Sequence, residues 1–368
     1  MKITFLMAYA SMSGGTRVIA AQARQLIALG HEVRVVSTPP RPPGLRRTLS
    51  ALVHRGHWPR TPPSGEFFFA QAAVPHRVIS RYRAIGEQDV SDGDVVIATW
   101  WETAPWVWRL SPAKGAKAFF IQHYEIWGGD EKAVDAAWRL PLHKIVISRW
   151  LADLARDKFA DPNVSLVPNS VDRSLFDAPP RSRQPRPTVG MLYNPARFKG
   201  CDVALKAVAA ARRELGDLQL VSFGVEAPQE PLGPGCAFTL NPPQEKIREL
   251  YAQCDVWLCG SRSEGFHLPP LEAMACRCPV VSTKVGGPLD IIEQGRNGFL
   301  VDVEDHGELA RRLVHVLRLS DDQWRQMSDA AYATACRYSW QDAAALMQRA
   351  LEAAVANSAA PPGRLGVA

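Results

Sequence analysis

Val256-Trp257-Leu258-Cys259-Gly260-Ser261-Arg262-Ser263-Glu264-Gly265-Phe266-His267-Leu268-Pro269-Pro270-Leu271-Glu272-Ala273-Met274-Ala275 is the stretch whose reading decides the fold. A short apolar run, a polar loop with glycine and a proline-led helical pattern follow one another. That order describes a buried parallel strand, its carboxyl-end loop and the helix of a strand–helix unit. Proline suits a first helical turn, where its missing N–H costs little, so the spacing predicts a helix from about Pro270. Backbone N–H groups near 266–268 would then be free, and free N–H groups at a helix amino end form an anion site. Gly265 permits close backbone approach to the occupant, for which a nucleotide diphosphate is the obvious choice. Glu264 would reach from the loop toward whatever the diphosphate carries. Glu272, read as lying in the first helical turn, would accept hydrogen bonds from ribose hydroxyls. Spacing alone leaves a plainer alternative open: Glu272 complementing the helix dipole and Glu264 solvated. A glycosidase needs two carboxylates roughly 5–9 Å apart across the scissile bond; spacing does not exclude it, but nothing else in the chain supports it.

The same alternation runs outward from this stretch. Strands are expected at Thr188–Leu192, 218–223, Cys236–Leu240, Val256–Cys259, Val280–Thr283 and 299–301, with helices at 202–215, 243–253, 270–277 and 305–319. A Pro/Arg-rich break without apolar period, 177–187, reads as a linker. Before it stands another set: strands at 2–8, 32–36, Val95–Ala98, 118–121, 145–148 and 164–167, with helices at 16–29 and Arg149–Phe159. The expected fold class is α/β, with two Rossmann-like doubly wound domains facing across a cleft, because ligands in such sheets bind outside the carboxyl ends of the strands. The boundaries read as 1–176, the linker 177–187, 188–335, a terminal helix at 336–356 packing back toward the first domain, and a disordered tail at 357–368.

Bulk properties narrow the classes. A chain of 368 residues fits two cores of about 150–200 residues each. No run approaches the roughly 18–20 apolar residues of a membrane span. The amino end reads as a first strand, not a signal segment. Seven cysteines without regular spacing read as reduced thiols of a cytosolic protein, and Cys276 and Cys278 have no partners to complete a zinc site. A net charge of +6 and a pI near 9.0 point to anionic partners. Phosphates and anionic lipid fit; nucleic acid does not, for no zinc-finger spacing or long basic stripe appears. Gly14-Gly15 is not a G-x-G-x-x-G fingerprint, which disfavours a dinucleotide-dependent dehydrogenase.

Glu264 through Glu272 resembles the E-x7-E motif of glycosyltransferase family 4, within its EGFGLPxLEAMAxGxPVVxxxxGG pattern. The likeness continues through Pro279, Gly286-Gly287 and Gly298-Phe299-Leu300-Val301-Asp302. Gly14-Gly15, Leu29-Gly30-His31-Glu32-Val33, Ile147-Ser148-Arg149-Trp150 and Val167-Pro168-Asn169-Ser170-Val171-Asp172 extend it over nearly the whole chain. The resemblance implies a GT-B fold, a nucleotide-diphosphate sugar as donor, retention of anomeric configuration, and no required metal or cofactor. It also implies that Glu264 contacts the transferred sugar and Glu272 the donor ribose, with backbone groups of Gly265, Phe266, His267 and Leu268 holding sugar and diphosphate. Two positions depart from the pattern. His267 stands where the family has a second glycine and either enters the sugar pocket or points away, and Ser170 replaces the glycine of an "NGVD" stretch. Tyr193-Asn194-Pro195-Ala196-Arg197-Phe198-Lys199-Gly200 resembles the family's G-R-…-K-G segment, whose two cations neutralise the diphosphate. Lys199-Gly200 aligns, but the arginine position falls on Asn194 and Arg197 is displaced.

In the first half, Gly14 and Gly15 correspond to a loop beside donor phosphate and acceptor, and His123 to a histidine near the transferred sugar. His123 alternatively reads as a satisfied structural histidine, and Trp100, Trp101 and Trp127 as sugar-stacking or packing aromatics. The basic stretch 41–60 carries Arg41, Arg46, Arg47, Arg55 and Arg60 among apolar residues. It suits either peripheral contact with an anionic membrane or a mobile acceptor loop. The expected catalytic set is Glu264, His123, Arg197 and Lys199, and the acceptor a glycan or lipid-linked molecule. Two alternatives from other classes stand beside the transferase: an epimerase or phosphorylase on the same fold, and a non-catalytic nucleotide-sugar-binding module.

Overall fold

The computed structural model of the protein describes residues 1–42 and 64–359, in two compact units: Met1–Val167 with Gln341–Ala368, and Pro168–Trp340. The division falls at 167/168 and not at 176. The segment 177–187, expected as a linker, belongs to the second unit and is fastened there. Arg181 and Arg183 donate to the carbonyls of Cys254 and Leu317, and the Gln184 N–H donates to the buried Asp255 carboxylate at 2.8 Å. Proline and arginine resemble a solvated linker in sequence, but here the cations are consumed by carbonyls.

The first unit is built on β1 (Lys2–Met7), α1 (Gly14–Ala28), β2 (Glu32–Ser37), α2 (Glu66–Gln71), β3 (His76–Val78), β4 (Val95–Ala98), α3 (Ala104–Arg109), β5 (Ala116–Ile121), α4 (Glu131–Trp138), β6 (His143–Val146), α5 (Arg149–Phe159) and β7 (Val164–Leu166). Its seven strands are all parallel, in the order β3-β2-β1-β4-β5-β6-β7. Ser13 caps α1, its hydroxyl accepting from the Thr16 N–H at 3.3 Å, and Gly30, at φ +87°, turns the chain into β2.

The second unit carries β8 (Thr188–Leu192), α6 (Cys201–Leu215), β9 (Gln219–Gly224), β10 (Cys236–Leu240), α7 (Gln244–Ala252), β11 (Val256–Cys259), α8 (Leu268–Ala275), β12 (Val280–Thr283), α9 (Pro288–Ile291), β13 (Gly298–Val301), α10 (His306–Leu317) and α11 (Asp321–Ala335). Its strands are again parallel, in the order β10-β9-β8-β11-β12-β13. Val189, Met191, Leu258 and Val281 from the strands pack with Ala207, Leu309, Leu313 and Trp324 from the helices. Burying each of the larger of these side chains is worth about 1.5–3 kcal/mol. The terminal helix expected at 336–356 is α12 (Trp340–Ala359), separated from α11 by 336–339. Residues 341–359 of α12 cluster with the first unit, where the Gln348 side chain meets His31 at 3.2 Å.

Each sheet reverses its winding once, between β1 and β4 in the first and between β8 and β11 in the second. Such a reversal sends the helices that follow the two flanking strands to opposite faces of the sheet, and ligands of open α/β sheets bind outside the carboxyl ends of the strands there.

Candidate active site

In the second unit, the loops after β8 and β11 are pressed together at the reversal. Gly200 sits at φ +58°, and a Cβ on it would lie 1.8 Å from the Gly260 carbonyl oxygen, so only glycine allows this approach. The Arg262 N–H donates to the Phe198 carbonyl at 2.8 Å. The Arg262 guanidinium bonds both Asp202 oxygens at 2.8 Å and the Arg197 carbonyl at 2.7 Å. Gly286, after β12, supports the same loop from the other side; a Cβ there would meet the Glu264 carbonyl oxygen at 2.8 Å.

The clamped loops bring Lys199 onto Glu264. The ammonium lies 3.0 Å from Oε1 and 2.8 Å from Oε2, and the Ser261 hydroxyl donates to Oε1 at 2.8 Å. The Glu264 side chain is 5% exposed, so its solvated reading does not hold, and that of Lys199 is 24% exposed. Burial pushes the Glu264 carboxyl up, but His267, Lys199 and Ser261 together outweigh it and hold the group below the usual carboxylate range. Burial lowers His267 to about 4 against the opposing pull of Glu264. At neutral pH the imidazole is therefore uncharged, and Lys199 is the cation that faces Glu264.

Helix α8 begins at Leu268, two residues earlier than expected, with His267 as its cap at φ +67°. Pro269 and Pro270 therefore fall inside the first turn, where neither supplies an N–H. The donors at this amino end reduce to the backbone of His267, Leu268 and the residues just before them, a smaller anion site than the sequence suggested. The early start also moves Glu272 out of the first turn, which holds no acidic residue. Glu272 is buried, and the Tyr251 hydroxyl donates to its Oε2 at 2.9 Å. Tyr251, from α7, is fully buried among Phe176, Phe223 and Trp257. Sequence reasoning passed over Tyr251, whose only signal was an apolar position on an amphipathic helix.

Arg197 opens a one-turn helix, Arg197–Lys199, with its side chain exposed and in no ion pair among the described residues. Asn194 uses its side-chain oxygen to accept from the Ala196 N–H at 2.9 Å, which shapes the turn. Phe266 is buried and Gly287 packs on it, donating its N–H to the Phe266 carbonyl at 2.8 Å. Of the basic stretch 41–60, only Arg41 and Pro42 lie among the described residues; the Arg41 guanidinium is 3.6 Å from Glu102.

In the first unit, the Gln122 amide donates to the Gly15 carbonyl at 3.2 Å, joining the loop after β5 to the start of α1. Gly14 and Gly15 form the first residues of that helix. His123 Nδ1 lies 2.9 Å from the Tyr124 carbonyl oxygen and 3.4 Å from the Trp127 indole nitrogen. Its ring stands edge-on to Trp127 and Trp150 at 5.8 and 5.9 Å. Glu125 is wholly buried and its Oε2 accepts from the Trp101 N–H at 3.0 Å; burial pushes its carboxyl well up. Gly128 and Gly129 lie against Trp100 and Trp101, where a Cβ would strike the rings at 2.8 and 2.5 Å.

Among the described residues, no group of three or more His, Cys, Asp and Glu is placed to hold a metal ion, and no helix is long and apolar enough to cross a membrane.

Comparison with known proteins agrees with this geometry. Residues 12–175 match the model of Glycosyltransferase Family 4 and residues 187–319 that of Glycosyl transferases group 1. The D-inositol 3-phosphate glycosyltransferase of Paenarthrobacter aurescens is 31% identical over 256 residues, covering 63% of this chain and 62% of that protein. The one from Corynebacterium urealyticum is 33% identical over 172 residues, 42% of this chain and 40% of that protein. The chain thus spans less than two thirds of the length of these curated relatives. Among solved structures, HepE of Anabaena in complex with UDP and glucose superposes with a TM-score of 0.73 at 15% identity, over 96% of this chain and 99% of that one. Sucrose-phosphate synthase of Thermosynechococcus elongatus gives 0.71 at 17% identity, over 97% and 100%. These likenesses establish the GT-B fold of two Rossmann-like units, and the two matched models together make the chain a member of glycosyltransferase family 4.

Proposed function

We propose that the chain is a retaining, metal-independent glycosyltransferase that moves a sugar from a uridine diphosphate sugar to an acceptor hydroxyl. The observation that carries the reading is the Lys199–Glu264 pair, held at the reversal of the second sheet beside the amino end of α8. A cation, a carboxylate and the backbone N–H groups before a helix amino end suit a donor that carries both a diphosphate and a sugar. Lys199, Arg197 and the N–H groups of Gly265, Phe266, His267 and Leu268 meet the diphosphate, Glu264 the transferred sugar, and Glu272, oriented by Tyr251, the ribose. Uridine is favoured because the fold neighbours HepE and TarM were solved with UDP. In this reading Gly14 and Gly15 serve the donor phosphate and the acceptor, and His123 the transferred sugar.

The bond from the anomeric carbon to the diphosphate oxygen breaks and one to the acceptor oxygen forms on the same face. The acceptor proton passes to the departing diphosphate. A lipid-linked or cell-envelope glycan is the acceptor in this reading, since the stretch 41–60 offers five arginines to an anionic surface. Sedimentation with phosphatidylglycerol vesicles, lost when those arginines become glutamine, tests that part. For the reaction itself, the protein is incubated with UDP-glucose and released UDP is measured with and without chelator, while proton NMR reports the product's anomeric configuration. Loss of turnover in Glu264→Gln, with folding intact, is the expected result. A variant that turns over at the normal rate removes Glu264 from the reaction.

A further inference from the structure

His267 holds the one imidazole in the proposed donor site, and its placement is unusual for its residue type. A non-glycine residue at φ +67° is disfavoured, and His267 caps α8 there without a side-chain bond to the helix. The side chain is 5% exposed and turns inward, its Nε2 3.6 Å from Glu264 Oε1. At that distance the ring makes no hydrogen bond with the carboxylate, although the negative charge favours the proton on Nε2. Nδ1, the other nitrogen, is buried with no hydrogen-bond partner among the described residues. A buried polar atom without a partner is destabilising, so a strained backbone and an unsatisfied nitrogen coincide at one residue. The imidazole forms part of the wall of a cavity of about 20 Å³, shared with Met191, Leu258, Lys199 and Ser261. That space admits roughly one water-sized group.

We propose that His267 is a specificity-determining residue: its Nδ1 accepts a hydrogen bond from a hydroxyl of the donor sugar, in a cavity too small for an acetamido group. The inference rests on the donor site proposed above and adds what that site selects. A hydroxyl satisfies the orphan nitrogen and fits the cavity. An acetamido substituent, with three more heavy atoms, clashes with the ring and with the Lys199–Glu264 pair. The chain therefore takes a plain hexose in preference to an N-acetylhexosamine.

The test compares the wild type with His267→Gly and His267→Asn, using UDP, UDP-glucose and UDP-N-acetylglucosamine, by calorimetry and by turnover. Glycine adopts φ +67° without strain, so this variant keeps the loop and removes only the ring. Asparagine also tolerates this backbone and returns a polar group near the position of Nδ1. The wild type is expected to prefer UDP-glucose. In His267→Gly, the affinity for UDP-glucose relative to that for UDP falls by about 5- to 100-fold, the range of one lost hydrogen bond, and UDP-N-acetylglucosamine gains. The asparagine variant recovers part of the preference. A wild type that binds UDP but does not favour glucose, or a glycine variant with an unchanged ratio of the two sugars, overturns the inference and leaves the donor site standing. A wild type that binds no UDP overturns both.

Discussion

Replacing Lys199 by methionine isolates the interaction on which the site depends. Methionine keeps the unbranched apolar stem and removes the ammonium, leaving the buried Glu264 carboxylate with the Ser261 hydroxyl, which donates to Oε1 at 2.8 Å. At an effective dielectric of about 20, a pair at this separation attracts by about 6 kcal/mol before desolvation is subtracted. Breaking a fully buried pair costs about 3–5 kcal/mol. Because Lys199 is 24% exposed, solvent screens part of its charge, and about 2–4 kcal/mol is expected. For a unit of this size that is a fall in Tm of about 5–12 °C.

The pH dependence makes the argument specific. In the wild type, the Glu264 carboxyl is held below its ordinary value, so its stabilisation is full above the unfolded carboxylate range and is lost as pH falls. In Lys199→Met, burial acts with less opposition and the carboxyl moves up; stability is then lost as pH rises instead. The gap between the two proteins should be widest near pH 7 and shrink toward pH 4–5. In the double variant Lys199→Met/Glu264→Gln no buried charge remains, and stability returns to within about 1 kcal/mol of the wild type while turnover stays absent. Urea unfolding of the wild type, Lys199→Met, Glu264→Gln and the double variant across pH supplies the cycle. A Lys199→Met penalty independent of pH, or a double variant as unstable as the single, would refute the claim that Lys199 holds the Glu264 charge.

Gly200→Ala places a Cβ 1.8 Å from the Gly260 carbonyl oxygen at a left-handed φ, so the loops must part; a loss of about 2–4 kcal/mol by chemical denaturation is expected, with donor affinity falling along with it. Tyr251→Phe removes the hydroxyl that Glu272 accepts and keeps the packing, so about 1 kcal/mol of stability is lost and KM for the donor rises more than kcat changes. Glu125 is held well above the ordinary carboxylate value by burial, so its contribution is full below the unfolded value and is lost as pH rises toward the folded one. Glu125→Gln should therefore gain on the wild type as pH rises from 4 to 8, read as the difference of their Tm values.

Much of this fold was legible because parallel strands covered on both faces become continuous apolar runs. Val95–Ala98, Val256–Cys259 and Val280–Thr283 are each buried at every position, and each was readable as four apolar or small residues between polar loops. Strand β3, His76–Val78, escaped because it is a short edge strand with half-exposed or exposed side chains and no apolar run. The start of α8 was misplaced because nothing in a sequence announces a histidine at positive φ; proline at the second and third positions looked like proline at the first. The segment 177–187 read as a linker because composition does not show that its arginines end on carbonyls 73 and 134 residues away. Tyr251 was invisible for a related reason: its partner Glu272 lies 21 residues on, across a strand and a loop.

The glycines explain why the site could be found at all while its geometry could not. Three backbone approaches assemble it: Gly200 on Gly260, Gly286 on Glu264, and Gly287 on Phe266, where a Cβ would lie 2.1 Å from the carbonyl oxygen. Each requires a residue without a side chain at a fixed place, so each leaves a mark in the sequence beside the residue it positions. Lys199, Glu264 and Phe266 stand next to or against such marks and were singled out. Side chains recruited through packing, such as Tyr251 and Glu125, leave none. His267 is the informative exception, for it occupies a backbone conformation that suits glycine and still carries a ring. A fold that built its site from glycine contacts would gain stability by placing glycine there as well. The imidazole is retained against that gradient with its Nδ1 unsatisfied by the protein, which is the pattern expected when a side chain is kept for what it binds.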